Sequence, residues 1–285
     1  FRARLLGTRD SGAPAEVFLL KPLGDGRWEA MVHPGGKLHP GRVVHVAPRF
    51  DVTIESVTER RTRVVRLATD GPVEDAIERH GHVPLPPYIR RGDAADDAAR
   101  YQTVYADERG SVAAPTAGLH FTPELLAAIA QRGVGFADVV LHVGAGTFKP
   151  VDVEDLSAHV MHEERYRIPP ETVDALASAG TVVAVGTTVV RTLESWAATG
   201  RTEGATSLFI HRPYPFRVVD RLLTNFHVPR SSLLVMIDAF VGPRWRALYD
   251  EALAEDYRFL SFGDAMLLTR SAPTGPDGDT DLSCT

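Results

Sequence analysis

Residues 181–200 read TVVAVGTTVVRTLESWAATG, and the reading turns on Gly186. Before it, TVVAVG is a short apolar run of the kind that fills a buried strand. After it, TTVVRTLESWAATG reads as a helix that stops at Gly200. A buried strand handing over to a helix is the repeating unit of an α/β layer. The neighbouring segments alternate in the same way. SVAA (111–114) and ADVVLHV (137–143) predict buried strands, and SLFI (207–210) a further one. Pro123–Arg132 predicts a helix, with Thr122 as N-cap, Pro123 in the first turn and Gly133 as the stop. Helices are also expected around 94–105 and in PPETVDALASAG (169–180), SSLLVMIDAFVG (231–242) and PRWRALYDEALAEDY (243–257). Together these predict an α/β domain over 91–270 with a mainly parallel sheet.

Upstream the texture differs. RARLLG (2–7), EVFLLKP (16–22), RWEAMVH (27–33), RVVHVAP (42–48), VTIESVT (52–58) and TRVVRLA (62–68) read as six short strands. Turn signals such as GDG (24–26) and HPGG (33–36) separate several of them, and no helix intervenes. Such a run suggests a small antiparallel barrel or a sandwich over 1–90. A short helix follows at 73–79, and the prolines of VPLPPYIRR (83–91) mark a linker or crossing segment. Residues 271–285 are expected to be a disordered tail.

The chain has 285 residues, 44% hydrophobic and 24% charged, as an ordinary globular protein has. It shows no apolar run of membrane-spanning length and no secretory pattern. It opens without Met, straight into strand-like alternation, and a preceding segment is expected to be missing. The single cysteine, Cys284, excludes an internal disulfide framework and a cysteine metal site, and it fits a cytoplasmic location. The net charge of −6 gives no general attraction to nucleic acid. The charge is uneven, however. Residues 1–90 carry 14 Lys+Arg against 11 Asp+Glu, and the remainder 17 against 26. The basic run Arg60, Arg61, Arg63 and Arg66 lies in the first part, where a solvated strand face is the plain alternative to an RNA contact.

Ligands of open α/β sheets bind beyond the C-terminal ends of the strands. Three strand ends here carry suggestive loops: PTAGLHF (115–121), GAGTFKPV (144–151) and GTTVVR (186–191). Gly144 and Gly146 begin a dinucleotide fingerprint, but its third glycine would fall at Lys149, so the match fails. The amides of Gly186, Thr187 and Thr188 at a helix start suit an anion, as does Arg191 one turn on, although a threonine there can simply cap the helix. His159 and His162 followed by Glu163 and Glu164 fit neither familiar zinc pattern; a histidine beside carboxylates suits proton transfer better. His120 and His142 stand at the ends of adjacent strands, with Lys149 and the run Asn225-Phe226-His227 elsewhere, and favour a shared site over isolated core residues. Tyr101, Tyr105, Phe121 and Phe148 are candidates for stacking on bases.

YQTVYA (101–106), GSVAAPTAGLHFT (110–122), LHVGAGTFKPV (141–151), HVMHEERY (159–166), VGTTVVRTLES (185–195), TNFHVPRSSLLVMIDAF (224–240) and YRFLSFGDAMLL (257–268) resemble, in order, the S-adenosylmethionine:tRNA ribosyltransferase-isomerases of queuosine biosynthesis. The resemblance implies a small β-barrel joined to a larger α/β domain. It also implies transfer and isomerisation of the ribosyl part of S-adenosylmethionine onto 7-aminomethyl-7-deazaguanine at the tRNA wobble position. Epoxyqueuosine-tRNA forms, and adenine and methionine leave. S-adenosylmethionine is then a co-substrate; no resident cofactor and no metal are implied, and a monomer is expected.

On this reading Glu163 and His162 are the expected proton-transfer pair, with His120 and His142 as rivals. Thr116, Ala117, Gly118, Leu119 and Phe121 line the pocket, as do Gly144, Gly146, Thr147, Phe148 and Lys149. Tyr101, Gln102, Asn225, Phe226 and His227 complete the expected substrate-binding set. Arg60, Arg61, Arg63 and Arg66 are the expected RNA contacts. The chain departs from the family pattern twice: a segment before the barrel has no counterpart, and His211-Arg212-Pro213-Tyr214 stands where a Pro-Gly-Tyr turn is usual. A methyltransferase, a non-catalytic RNA-binding module and a paralogue with a changed acceptor are the competing readings.

Overall fold

A computed structural model describes residues 2–271, apart from 87, 90, 95, 108–110, 112–113, 143–155, 157–158, 160 and 162. The chain divides into two compact units, one built from residues up to 114 together with His142, and the other from 115–141 and the described residues from 156 onward.

The first unit holds the six expected strands: β1 (Arg4–Arg9), β2 (Pro14–Gly24), β3 (Arg27–His33), β4 (Val43–Ala47), β5 (Phe50–Val57) and β6 (Arg63–Thr69). They close into a barrel in the order β1-β2-β3-β6-β5-β4, every pair antiparallel. Alternation puts Leu5, Val17, Leu19, Val44, Val52, Ile54 and Val65 inside, all fully buried. Burial of each such side chain contributes roughly 1.5–3 kcal/mol. The closing seam, β1 against β4, is short, pairing only Thr8 with His45 and Arg9 with Val44. Gly7 lets it close, because a Cβ there would lie 2.4 Å from the His45 carbonyl oxygen. The helix α1 (Val73–His80) adds Ala76 and Ile77 to the same core.

The first unit runs beyond residue 90 for a definite reason. Arg4 and His82 exchange backbone hydrogen bonds of 3.2 and 2.8 Å, which ties the following segment to β1. Asp93 then accepts from His82 Nδ1 (2.6 Å) and the Val83 amide (3.0 Å). Asp97 receives a forked pair from Arg91 at 2.5 and 2.8 Å. The helix expected around 94–105 shrinks to α2 (Asp97–Arg100). Asp97 is drawn inward by Arg91 and the Ala94 amide (2.7 Å), which makes this segment a polar knot and not an apolar-faced helix.

The second unit contains α3 (Pro123–Gln131), β7 (Val140–His142), β8 (Glu164–Arg167), α4 (Pro170–Ser178), β9 (Val183–Val185), α5 (Thr187–Thr199), β10 (Glu203–Thr206), β11 (Arg221–Asn225), α6 (Ser232–Val241), α7 (Trp245–Ala254) and β12 (Ala265–Thr269). Thr122 caps α3 by accepting from the Leu125 amide at 3.2 Å, and Ser231 caps α6 through the Leu234 amide at the same distance. Gly200 ends α5 in the left-handed region, at φ 71°.

The strands form two three-stranded sheets, β10-β8-β7 and β12-β11-β9. Among the described residues the expected mainly parallel sheet is not found: β11 runs parallel to β9, but β12 is antiparallel to β11 and β10 is antiparallel to β8. A short apolar run reads the same in either pairing. Among the described strand pairs, β9 is followed by a helix that carries the chain over to a parallel neighbour, as parallel pairing requires. The strand expected at 207–210 is also displaced. Thr206 ends β10, and its hydroxyl accepts from the Leu208 amide (3.1 Å), turning the chain out of the sheet.

Candidate functional site

Asn225, the last residue of β11, is 2% exposed, and its carboxamide is the centre of the site. Its Nδ2 donates to the Leu260 carbonyl (3.2 Å) and to Nε2 of His120 (2.7 Å). Its Oδ1 accepts from the Thr116 hydroxyl at 3.1 Å. The amide orientation follows from chemistry, since a carbonyl oxygen can only accept. The same orientation decides the histidine. Nε2 of His120 accepts a hydrogen bond from Asn225, so the ring is neutral and carries its hydrogen on Nδ1. Burial lowers the His120 pKa, opposed by the charge of Asp264, and so favours the same neutral form.

Thr116–His120 is a turn of 3-10 helix set between Pro115 and the cap of α3. Ala117 and Gly118 are buried, while Thr116, Leu119, His120 and Phe121 are half-buried. The turn packs on the start of α5: a Cβ on Gly186 would meet the Ala117 methyl at 3.7 Å. Gly186 stands at φ 97°, where side-chain-bearing residues are strained, and its amide bonds the Leu223 carbonyl of β11 at 2.9 Å. Residues 114–122 thus join three structures: the turn itself, the end of β11 and the start of α5.

Phe226 and His227 support this corner from behind. Phe226 lies in a cluster with Tyr249, Tyr257 and Phe259, with ring centroids 5.0–5.7 Å away. The His227 amide donates to the Tyr249 hydroxyl (2.9 Å), and its Nε2 lies 3.0 Å from the Thr224 hydroxyl. Burial pushes its pKa down to about 4. His227 is therefore a buried structural residue at the site's base and not a lining one.

The loop after α7 lies in the motif YRFLSFGDAMLL (257–268), but none of its residues is among the expected site residues. Leu260, a residue with a side chain, holds φ 73°. Its amide donates to the Phe226 carbonyl at 3.0 Å while its own carbonyl receives Asn225. Asp264 braces the loop, accepting from the Arg258 amide (2.7 Å) and donating its own amide to the Arg258 carbonyl (2.6 Å). Strain of this kind gathers where a site fixes the backbone.

Other expectations fall differently. Arg191 is 3% exposed and forms an ion pair with the equally buried Glu164 of β8. It also donates to the carbonyls of Leu208 (2.9 Å) and Thr206 (3.3 Å). Its guanidinium therefore anchors the interior instead of meeting an anion at the helix start. Thr187 is buried and Thr188 half-buried at that start. Glu163 is exposed just before β8, and His142 ends β7 half-buried. Tyr101 is buried in the first unit, and Gln102 beside it is exposed. His162 and Gly144, Gly146, Thr147, Phe148 and Lys149 lie outside the described residues.

The basic run is not one surface. Arg63 is buried, and Arg66 bonds Glu55 at 2.5 Å, while Arg60 and Arg61 are exposed. At the departing turn, Arg212 donates to Asp238 of α6 at 2.7 Å, and the other oxygen of Asp238 accepts from Trp245 Nε1 at 2.7 Å. Among the described residues no group of three or more His, Cys, Asp or Glu side chains is placed to hold a metal ion, and no helix is long and apolar enough to cross a membrane.

Convergence of a neutral histidine, an asparagine and a threonine at one strand end, braced by a strained loop, is the build of an enzyme. The chain belongs to the queuosine biosynthesis protein family, whose pattern matches residues 1–268. Among its relatives, the S-adenosylmethionine:tRNA ribosyltransferase-isomerase of Sulfurihydrogenibium sp. is 46% identical over 273 residues, covering 93% of this chain and 80% of the relative. The protein of that name from Anaeromyxobacter dehalogenans is 49% identical over 280 residues, covering 94% and 81%. A solved S-adenosylmethionine tRNA ribosyltransferase from Thermotoga maritima is 34% identical, covers 93% of this chain and 78% of its own, and superposes with a TM-score of 0.45.

Proposed function

We propose that this chain transfers the ribosyl part of S-adenosylmethionine to the aminomethyl group of 7-aminomethyl-7-deazaguanine at the tRNA wobble position and isomerises it. Epoxyqueuosine-tRNA is formed, and adenine and methionine are released. Membership of the family supports the reaction, and the hydrogen-bonded Thr116–Asn225–His120 set is the observation that supports this corner as its site. The reaction takes place in the cytoplasm, by a monomer, with S-adenosylmethionine as co-substrate and no resident cofactor.

The reaction needs an acid and a base. Adenine leaves more readily when a donor meets its developing negative charge. His120, held neutral with hydrogen on Nδ1, is a donor; Asn225 and Thr116 are positioning residues that fix its tautomer. Its Nε2 is occupied by Asn225, so His120 is poorly placed to act as the base. That role stays with Glu163 and His162, the former an exposed carboxylate ahead of β8. The Gly186 amide is taken by Leu223, so at the start of α5 the amides of Thr187 and Thr188 are the ones offered to methionine's carboxylate. The target base must leave its stack to reach any enclosed site.

The test is product analysis. Enzyme, S-adenosylmethionine and tRNA bearing the aminomethyl base should yield adenine and methionine, whereas S-adenosylhomocysteine would overturn the reading in favour of methyl transfer. His120→Phe should lower kcat by about 100-fold or more. Unchanged turnover in that variant would remove His120 from the chemistry, and unchanged turnover in both Glu163→Ala and His162→Ala would overturn the assignment of the base.

A further inference from the structure

We infer that one end of the barrel, formed by the 34–42 loop and the 58–62 turn, is the surface on which the phosphate backbone of the RNA docks. The inference rests on the proposed tRNA reaction for the identity of that RNA, but its geometry belongs to the barrel alone.

The strand order decides which loops share an end. With every neighbouring pair antiparallel, β1, β3 and β5 run one way and β2, β4 and β6 the other. The connections after β1, β3 and β5 therefore share one rim, and those after β2, β4 and β6 share the opposite one.

The two rims handle positive charge in different ways. At the rim after β2, β4 and β6, three arginines have acidic partners. Arg49 bonds Asp70 (2.7 Å), Arg66 bonds Glu55 (2.5 Å), and Arg27 lies 3.8 Å from Asp25. At the other rim Lys37, Arg42, Arg60 and Arg61 are exposed, and no carboxylate of the described residues pairs with them. Three acids touch that rim: Glu59, Asp10, which is held by His45 at 3.1 Å, and Glu29, which accepts from the Thr62 hydroxyl at 2.6 Å.

Arg63 makes this rim a built surface instead of a pair of loose loops. It is 8% exposed. Its guanidinium donates to the carbonyls of Leu38 (3.0 Å) and Gly35 (3.0 Å) on one loop, and to those of Arg61 (2.8 Å) and Thr62 (3.2 Å) on the other. All these partners are neutral, so the hydrogen bonds are satisfied while the charge is not cancelled. The turn is further fixed by Thr58–Thr62 and Thr62–Glu29 hydrogen bonds of 2.5 and 2.6 Å. Two adjacent arginine forks on a rigid turn, backed by a buried cation, suit phosphate oxygens. The chain's net charge of −6 makes the patch local, so it positions RNA and does not attract it generally.

The test compares tRNA binding across about 50–200 mM salt for wild type, for K37Q/R60Q/R61Q, and for the charge-matched control K21Q/R49Q/R79Q near the opposite rim. Removing three phosphate contacts should make the log–log salt slope shallower by about 2–3 and weaken low-salt binding at least about tenfold. The control should run parallel to wild type. If the rim variant also runs parallel, the inference is overturned, and any acidic partner of the rim is then not this RNA. Adenine release, read from the same wild-type protein, separates the two ideas. Release with parallel slopes keeps the reaction and discards the rim. Altered slopes without release keep the rim and discard the reaction.

Discussion

At the centre of the barrel lie Leu5, Val17, Leu19, Phe50, Val52 and Ile54, none of them able to form a side-chain hydrogen bond. At the same depth in the larger unit lie Glu164, Arg191, Glu194, Asn225 and His227. The difference follows from how each unit satisfies its backbone. A closed barrel bonds strand to strand all the way round. The larger unit has two small sheets and long connections, whose amides and carbonyls need side-chain partners when buried. Glu194 accepts from the amides of Arg217, Val218 and Val219 at 2.9–3.1 Å, Arg191 takes two carbonyls, and Asn225 takes one more. Side chains that fix loops also fix whatever the loops carry, so the candidate site forms in this unit.

The strongest test of that contrast is removal of one buried anchor from each unit. Arg191→Met leaves Glu164 buried without its partner and should cost about 3–5 kcal/mol. The double change E164L/R191M should recover most of it, because the lost stability is chiefly that of an orphaned charge. Phe50→Ala in the barrel should cost a similar amount, about 3–5 kcal/mol, through an apolar cavity. Urea unfolding would measure all three, and a double variant no more stable than Arg191→Met would break the comparison.

Two histidines sharpen it. His227, buried in the larger unit, has its pKa lowered to about 4 by desolvation. Its unfolded form binds the proton more readily, so the stability it contributes is present above about pH 6.5 and is lost as pH falls toward 4, by about 3 kcal/mol at the limit. His45, exposed on the barrel, has its pKa raised by hydrogen bonds to Asp51 and then Asp10, at 2.8 and 3.1 Å. Its contribution has the opposite sign: it is present below about pH 6.5 and fades as pH rises through the folded value. NMR titration should find the two midpoints on opposite sides of the ordinary histidine value, and coincident midpoints would contradict both environments.

The smallest expected effect concerns two glycines. Gly7→Ala meets backbone at the barrel seam and should cost roughly 1–3 kcal/mol by overpacking. Gly186→Ala has room, with its nearest neighbour at 3.7 Å, and should cost about 1 kcal/mol through its positive φ. Thermal melts of the two variants would rank them, and a harmless Gly7→Ala would mean the seam yields easily.

Alternation made the barrel readable strand by strand, because each side chain's facing depends on position along its own strand. The helix caps at Thr122 and Ser231 depend on residues three positions away, and the Thr122 cap was read from its own segment. The turn at 114–122 stood out for its composition, and His120, Thr116 and Asn225 were legible as candidates. Their connection was not, because Thr116 and Asn225 are 109 residues apart. Nor did the basic run distinguish Arg63 from Arg60, since only the fold turns one inward and the other out.

By itself, then, the sequence determined six barrel strands, the helices of the larger unit and the family, all of which follow from local periodicity and motif order. Tertiary structure alone decided the direction of β12, the pairing of Arg191 with Glu164, the tautomer of His120 and the rim held by Arg63. Each of these depends on which distant backbone carbonyl or carboxylate a polar group reaches, and local spacing does not encode such a partner.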